Sequence, residues 1–363
     1  MAKVGIYLGS NSDHISNINN VLKTWVQALS QANHDTDLIG GSEIPESVQM
    51  DSRIHPVSTA RSPTPFGKIK DSYTHVSHYI LDHDPDVVIQ LWKYQTHGLG
   101  VAAAGKRHHV PAIIRFSGDV FNEYRGYELP YSPAVFLLDN IIGSIPLFLS
   151  DKVVSLGPNL KQSIKTRGVS NSNIHLIPPP QPDKSRFFPA DDVAAVRANL
   201  DLKTDRPIAL FVGRLSRQKG MSFLERVIER VLVKTDFQFV VVGKGPYREI
   251  FKNRFSSEDV VLPGYVAREQ IGDYYRAASV YVHPSQFEGI PLVILEALQS
   301  ELPVVARDAG DISFVVEETV QTEEQMANRL VRKEWDGTWK NRGLFSSEYQ
   351  KREIARLIKD VTM

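Results

Sequence analysis

The sequence contains no cysteine. Disulfide bonds, thiolate metal sites and a cysteine nucleophile are therefore excluded by composition, and a reducing compartment fits. The chain begins with MAKVGIYLGS, a short apolar run without the longer apolar core and small-residue cleavage site of a signal peptide. Together these absences predict a cytoplasmic protein whose first element is a buried strand.

An excess of either charge is also missing. Lys plus Arg and Asp plus Glu both number 42, so the formal net charge is zero. This balance argues against wholesale nucleic-acid binding and against a strongly acidic surface. A local basic patch is still compatible with it. For Arg53, Arg61, Lys68 and Lys70, near STARSPTPFGKIK, we expect a solvated loop; the alternative is contact with an anionic lipid or acceptor.

Long apolar runs are scarce. The most apolar window, Pro133 to Ser150, is interrupted by Asp139, Asn140, Gly143 and Pro146, and its apolar length is expected to fall short of a membrane span. We expect a core helix and a loop here. The alternative is a surface that meets a membrane face.

Short β-branched runs alternate with helical patterns through most of the chain. In the first half, KVGIYL, DVVIQLW, PAIIRF and KVVSLG are typical of strands, and residues 18–31 of a helix. In the second half, strand patterns such as RPIALFVGRL and SVYVHPS alternate with helical patterns such as MSFLERVIERVLV and PLVILEALQS. This alternation predicts parallel, doubly wound sheets that bind ligands at the carboxyl ends of their strands.

A proline-rich stretch divides the chain. IHLIPPPQPDKSRFFPADD carries five prolines, which exclude a helix or a central strand. Because 363 residues is roughly twice the usual size of one domain, we predict two domains, 1–180 and 181–345. Residues 346–363 predict a terminal helix, capped by Ser346 or Ser347, that packs back on the first domain.

The loop after the strand ALFVG concentrates positive charge. Gly213 ends the strand, Arg214 follows, and Lys219 lies just before the next helix. A strand–loop–helix junction brings free N–H groups and the positive end of a helix dipole together, and the two side chains add full charges. Such a site suits a diphosphate; a solvated basic turn explains the stretch equally well.

Two glycine turns follow the next strands. Gly243 and Gly245 permit close approach of a ligand to the backbone, but Arg248 occupies the third glycine position of a dinucleotide fingerprint. Around Gly264 and Val266, main-chain groups could pair with a base edge. A tight turn is an equally simple interpretation there.

The stretch FEGIPLVILEA places two carboxylates around the start of a helix. Pro291 suits the first helical position, so Gly289 and Ile290 are expected just before the N-terminus of the helix, with free N–H groups. Glu288 precedes the helix and Glu296 lies inside it. Since a carboxylate accepts sugar hydroxyls well, the pair could bind a nucleotide sugar at its sugar and its ribose. For Glu296 the alternative is a solvated position on the polar side of the helix.

These stretches resemble the retaining glycosyltransferase family 4 with the GT-B fold. Glu288 and Glu296 match its signature of two glutamates separated by seven residues, and GRLSRQKG matches its G-R-L-x-x-x-K-G pattern. The resemblance implies that Glu288 faces the transferred sugar, that Glu296 faces the ribose, and that Arg214 and Lys219 bind the diphosphate. It implies an α/β fold of two Rossmann-like doubly wound domains that face a central cleft. The linker is similar to the family's, with one extra residue, at Ile177, Pro178, Asp183, Phe187 and Pro189.

The first half departs from the family's pattern. The family has a glycine-rich loop that touches the donor phosphate after its first strand; here Gly9 is followed by SNSDH. Where many members carry a histidine near the reacting sugar, this chain has Ser117, Gly118 and Asp119. Asp119 is the expected substitute, and a turn aspartate that caps the next segment is the alternative. The family's Gly-x-Leu-Val stretch after LPVVARDAGD is absent, which affects the edge of the donor pocket.

The resemblance implies metal-independent transfer from a UDP- or GDP-sugar to a glycan, lipid-linked or small-molecule acceptor. Arg214 and Lys219 are the expected cations, and no metal or cofactor beyond the donor is expected. The histidines show no convincing metal-ligand spacing, although HVSH places two at i,i+3. Peripheral contact with the inner membrane face is an open expectation, and no nucleic-acid partner is expected.

Other functions remain open. A non-catalytic nucleotide-sugar-binding protein would share the site, as would another GT-B enzyme such as a nucleotide-sugar epimerase or a phosphorylase. A nicotinamide-dependent oxidoreductase is disfavoured because neither GSNSDH nor GKGPYR completes the glycine fingerprint.

Overall fold

The computed structural model describes residues 1–9, 19–41, 48, 51–57, 62, 64–118, 121–127 and 130–362. The chain divides into two compact units, Met1–Pro180 with Gly343–Met363, and Gln181–Arg342. The first division falls inside the proline-rich stretch. The chain returns to the first unit at Gly343 rather than at residue 346.

The first unit is built on seven strands, β1 (Lys3–Gly9), β2 (Asp35–Gly40), β3 (Arg53–Pro56), β4 (Val87–Gln90), β5 (Ala112–Arg115), β6 (Lys152–Ser155) and β7 (Ile174–Leu176). All neighbouring strands are parallel, in the order β3-β2-β1-β4-β5-β6-β7. The described helices that follow in chain order are α1 (Asn19–Gln31), α2 (Pro65–His83), α3 (Leu99–His108), α4 (Tyr131–Phe136), α5 (Ile145–Leu149) and α6 (Pro158–Thr166).

Both faces of this sheet are covered. Successive side chains of a strand point to opposite faces, and Val4, Ile6 and Leu8 of β1 belong to one apolar cluster whereas Tyr7 belongs to another. The first cluster includes Trp25 of α1. Burial on both faces is why the strands of a parallel sheet are continuous apolar runs in the sequence.

The second unit repeats this plan with β8 (Ile208–Val212), β9 (Gln238–Val242), β10 (Val260–Gly264), β11 (Val280–His283), β12 (Val304–Arg307) and β13 (Thr319–Val320). Its sheet is parallel, in the order β10-β9-β8-β11-β12-β13. Its helices are α7 (Val193–Asn199), α8 (Met221–Leu232), α9 (Tyr247–Arg254), α10 (Ile271–Ala277), α11 (Leu292–Gln299) and α12 (Glu323–Arg332). The prediction of two Rossmann-like parallel α/β domains is confirmed.

Helix α13 (Ser347–Thr362) belongs to the first unit. Its Ile354, Leu357 and Ile358 are fully buried in the same cluster as Trp25. The amphipathic stripe of this helix therefore completes the core on one face of the first sheet.

The helical run Tyr131–Leu149 joins α4 to α5 through a π-helical and a 3-10 turn. The expectation of a core helix is wrong here, because Leu137, Ile141 and Phe148 are 50%, 55% and 62% exposed. By length and composition alone the run is also long enough to cross a membrane, contrary to expectation, and only 22% of its apolar window is buried.

The basic residues near position 60 do not share one loop. Arg53 begins β3, and Lys68 and Lys70 lie in α2. Arg61 lies outside the described residues. The prediction of a solvated loop is therefore wrong for the three residues that the structure describes.

Each sheet has one point at which the order of strands reverses, between β1 and β4 in the first unit and between β8 and β11 in the second. At such a point the loops leave neighbouring strands in opposite directions, and ligands bind in the crevice at the carboxyl ends. The predicted site residues of the second unit follow β8, β9, β10 and β11, and Gly9 ends β1.

Candidate functional site

Three loops of the second unit, after β8, β9 and β10, contact one another through their backbones. The N–H of Leu215 donates to the carbonyl oxygen of Lys244 at 2.9 Å, and that of Gly243 donates to Gly264 at 2.8 Å. A Cβ on Gly243 would lie 1.8 Å from the carbonyl oxygen of Gly213, so this approach requires glycine. The glycines therefore allow the loops to pack closely at the carboxyl edge of the sheet.

The loop between β8 and α8 packs against the loop after β11. Gly220 has a left-handed backbone with φ +72°, and a Cβ there would lie 2.0 Å from the carbonyl oxygen of Pro284. This close approach brings two predicted site residues together. Lys219 Nζ donates a hydrogen bond to Glu288 Oε1 at 2.6 Å.

Glu288 is a buried carboxylate with two nitrogen partners. His283, the last residue of β11, lies with Nε2 3.2 Å from the same Oε1, and the Tyr281 hydroxyl lies 3.4 Å from His283 Nδ1. Burial acts to raise the pKa of Glu288, but its interactions with His283 and Lys219 outweigh burial and lower the pKa to about 2. Glu288 is therefore ionised throughout the physiological pH range.

Helix α11 begins one residue later than predicted. Pro291 is its N-cap residue, with an extended backbone and no side-chain cap, and the helix starts at Leu292. Gly289 and Ile290 lie ahead of it in buried positions. Because no side chain caps the helix, its first N–H groups are oriented to receive an anion.

Gly310 supports this segment from the neighbouring loop. Its backbone is left-handed with φ +54°, and a Cβ would lie 1.7 Å from the carbonyl oxygen of Glu288. The N–H of Asp311 donates to the carbonyl oxygen of Gly289 at 3.1 Å. The backbone of Glu288 and Gly289 is thus fixed by contacts that only glycine at position 310 allows.

Glu296 lies inside α11 and accepts a hydrogen bond from the hydroxyl of Tyr275 in α10, at 2.9 Å. Burial raises the pKa of Glu296, opposed by this hydrogen bond and by two nearby arginines. Glu296 is partly buried, and Gln299 and Ser300 are buried, so this end of the helix is not a polar surface. The alternative of a solvated Glu296 is therefore not supported.

The other predicted residues of this unit lie on the surrounding loops. Arg214 is exposed and lies two residues beyond the end of β8, and Val266 is partly buried beyond β10. A Cβ on Gly245 would lie 2.3 Å from the carbonyl oxygen of Leu215, whereas one on Gly264 would meet no atom within 4 Å. Gly264 is therefore constrained only by its left-handed backbone, with φ +82°.

Four polar side chains in these elements were not identified from the sequence. His283 and Tyr275 contact the two glutamates directly. The buried hydroxyls of Ser216 and Ser285 have no hydrogen-bond partner within the described chain. A polar residue at the end of the apolar strand SVYVH was the one signal that could have identified His283.

In the first unit, Gly9 ends β1 with φ +87°, and a Cβ there would lie 2.7 Å from His97 Cε1. His97 is buried, and in the described part of the chain its Nδ1 has no partner. Burial, with smaller contributions from nearby lysines, lowers the pKa of His97 to about 3, so the imidazole is neutral. Residues 10–18 and Asp119 lie outside the described residues, and Asp119 stays a prediction.

No metal centre is seen in the described ranges. No group of three His, Asp or Glu side chains there is close enough to hold an ion, and the histidines of HVSH form none. The sequence contains Asp-x-Asp spacing, which could supply two carboxylate ligands to a metal ion, at Asp35 and Asp37 and from Asp82 to Asp86. Asp35 begins β2 and Asp86 directly precedes β4, so both lie at amino ends of strands, opposite the switch point.

Two family models match the chain. The model described as Glycosyltransferase Family 4 matches residues 18–181, and the model described as Glycosyl transferases group 1 matches residues 206–333. Apart from residue 181, the first match lies in the first structural unit, and the second match lies in the second unit.

Two curated relatives align over most of the chain. TuaC of Bacillus subtilis, which carries the name of a teichuronic acid biosynthesis glycosyltransferase, is 26% identical over 67% of this chain and 60% of its own length. A GDP-mannose-dependent alpha-mannosyltransferase of Corynebacterium glutamicum is 25% identical over 88% of this chain and 75% of its own length. The chain thus spans less than two thirds of TuaC.

Among solved structures, HepE of Anabaena in complex with UDP-glucose superposes with a TM-score of 0.66, over 99% of this chain and 98% of that one. Sequence identity is 14%. A likeness at this identity shows a shared fold.

Proposed function

Because the chain belongs to the family 4-type glycosyltransferases of the GT-B fold, we propose that it transfers a sugar from a nucleotide diphosphate sugar to an acceptor hydroxyl with retention of anomeric configuration. The observation that carries this proposal is the contact between Lys219 and buried Glu288 beside the uncapped start of α11. A cation and free helix N–H groups in one place suit a diphosphate.

The proposed catalytic effect is stabilisation of the leaving group. As the bond between the sugar and the nucleotide diphosphate breaks, negative charge develops on the departing phosphate oxygen. Lys219, Arg214 and the N-terminus of α11 provide positive potential there. Since Lys219 already donates to Glu288, its ammonium group is oriented before the donor arrives.

The two glutamates are proposed to bind different parts of the donor. Glu288 uses Oε1 for Lys219 and His283 and is proposed to accept a hydroxyl of the transferred sugar with Oε2. Glu296 is proposed to accept ribose hydroxyls. The acceptor attacks on the face that the nucleotide leaves, and a donor phosphate oxygen takes the acceptor's proton, so no separate general base is required.

The donor is proposed to be a UDP- or GDP-sugar. HepE is named with UDP-glucose, and the relative from Corynebacterium glutamicum with GDP-mannose. We propose a glycan, lipid-linked or small-molecule acceptor, no metal or cofactor, and a cytoplasmic location with peripheral contact at the inner membrane face.

Release of nucleotide diphosphate from a panel of UDP- and GDP-sugars tests this proposal. We expect release in the presence of a chelator, a product with retained configuration by NMR, and a loss of roughly 100-fold or more in Lys219→Met. Inversion or an absolute metal requirement would contradict the mechanism. Stabilisation by a donor, without nucleotide release for any acceptor, would indicate a non-catalytic binding protein.

A further inference from the structure

The helical run Tyr131–Leu149 carries an apolar stripe on its outer face. Leu137, Ile141, Ile145 and Phe148, which we call the apolar stripe, recur every three or four residues along the run. Their exposed fractions are 50%, 55%, 41% and 62%. Because monomeric proteins seldom expose a continuous apolar patch, the stripe indicates an interaction surface.

The opposite face of the run is attached to the first unit. Asp139 is 4% exposed and accepts a hydrogen bond from Gln95 Nε2 at 2.9 Å. Asn140 donates to the carbonyl oxygen of Phe121 at 3.2 Å and accepts from Arg167 at 3.1 Å. The run therefore lies along the unit. These polar contacts argue against a helix that crosses a bilayer, where such groups would face hydrocarbon.

Positive charge borders the stripe. A Cβ on Gly168 would lie 4.0 Å from the Phe148 ring, which places the segment after α6 beside the stripe. Lys165 in the last turn of α6 is exposed, whereas Arg167 donates to Asn140 on the attached face of the run. Asp139, the one acidic residue of the run, is buried on the other face. The exposed face of the run therefore carries no acidic side chain.

We propose that the apolar stripe docks into the interfacial layer of an anionic lipid bilayer, with the run parallel to the membrane plane. An apolar helix face flanked by lysine and free of acidic side chains fits anionic headgroups and the acyl boundary below them. Tyr127 and Tyr131, 41% and 69% exposed, lie at one end, where amphipathic rings suit the headgroup level. A symmetric contact between two copies of the run would bring no acidic side chain of the run to Lys165.

Vesicle flotation tests the proposal without any donor, so its outcome does not depend on the proposed reaction. The wild-type protein is expected to float with vesicles of equimolar phosphatidylcholine and phosphatidylglycerol. The triple variant Ile141→Ser, Ile145→Ser, Phe148→Ser is expected to bind at least about 10-fold more weakly. Lys165→Glu is expected to weaken binding to these vesicles several-fold but not binding to pure phosphatidylcholine.

The matched control is the triple variant Phe66→Ser, Leu81→Ser, Val233→Ser, which removes three apolar side chains elsewhere that are more exposed than those of the stripe, at 72%, 69% and 85%. It should float as the wild type does, and circular dichroism and thermal unfolding verify that all variants are folded. Absence of wild-type flotation, or equal flotation of the stripe variant, would overturn the proposal. So would a concentration-dependent dimer that the stripe variant dissociates, because the stripe would then be a protein interface.

Discussion

His283 positions the carboxylate on which the proposed reaction depends. It shares Glu288 Oε1 with Lys219. The role proposed for it requires no contact with the donor. We expect His283→Ala to lower kcat by roughly 10- to 100-fold, the cost of losing a hydrogen bond to a charged group. Since His283 lowers the pKa of Glu288, its loss should also move the acidic limb of the pH–rate profile to higher pH.

His283→Asn, which retains an N–H donor, is the control for this prediction and should recover part of kcat. The affinity for the nucleotide diphosphate, measured by calorimetry, should change little in either variant. An alanine variant with a wild-type pH–rate profile would show that His283 is only a packing residue.

The pKa of Glu296 is raised, whereas that of Glu288 is lowered. Burial raises the pKa of Glu296, so the folded chain holds this proton more tightly than the unfolded chain does. The protonated carboxyl therefore stabilises the fold at low pH, and this contribution is lost as the pH rises through the folded pKa. Glu296→Gln removes the charge and keeps an acceptor for Tyr275. We expect an unchanged or higher Tm at pH 7, with roughly 10-fold weaker binding of a ribonucleoside diphosphate.

The 2′-deoxynucleoside diphosphate is the control ligand, and its affinity should fall less in Glu296→Gln because one of the proposed hydroxyl partners is already missing. Thermal shift and calorimetry provide both quantities. A lower Tm with unaltered affinity for both ligands would assign Glu296 to packing alone.

At the scale of elements, the continuous apolar strands were predictable from sequence, whereas the polar elements β3 and α9 were not. β1 and β9 are continuous apolar runs because helices cover both sides of their sheets. The edge strand β3, with the sequence RIHP, is exposed or half-buried throughout and has no apolar pattern. Helix α9 buries only Phe251, so its sequence YREIFKNR lacks a helical stripe.

The candidate site was also predictable from the sequence only in part. Motif spacing identified Lys219, Glu288 and Glu296, but it could not show that the first two touch, because 69 residues separate them. That contact depends on Gly220 packing against the carbonyl oxygen of Pro284. The core position of Pro133 to Ser150 was predicted wrongly because apolar composition does not distinguish a buried helix from an exposed apolar one.

Gly310 constrains the backbone segment that carries Glu288 and precedes α11. Alanine there would place a Cβ 1.7 Å from the carbonyl oxygen of Glu288 and would adopt a left-handed backbone that alone costs about 1–2 kcal/mol. We expect Gly310→Ala to shift the start of α11, to destabilise the second unit by about 3 kcal/mol or more, and to abolish most activity. Urea unfolding and nucleotide release measure these effects.

Gly343→Ala is the matched control, since a Cβ there meets no atom within 4 Å. Its free energy of unfolding should change by less than about 0.5 kcal/mol. If Gly310→Ala had equally small effects, the loop that carries Glu288 would be more adaptable than its packing indicates.

At the scale of the whole molecule, each unit has apolar clusters of its own, and the chain crosses between units twice. Separate cores predict that the units unfold as separable transitions. A nucleotide diphosphate that binds the second unit should then stabilise that transition specifically, by about 2.7 kcal/mol at 100 times Kd.

Leu357→Ala tests this separation by calorimetry. Leu357 is fully buried beside Trp25 in the first unit, and removal of its side chain should cost about 2–5 kcal/mol. We expect the first unit's transition to fall by roughly 5–15 °C while the nucleotide-stabilised transition keeps its Tm. Leu81→Ala, at a position 69% exposed, should alter neither transition. Parallel shifts of both transitions in Leu357→Ala would mean that the units unfold as one cooperative body, and the separate cores would then not define separate folding units.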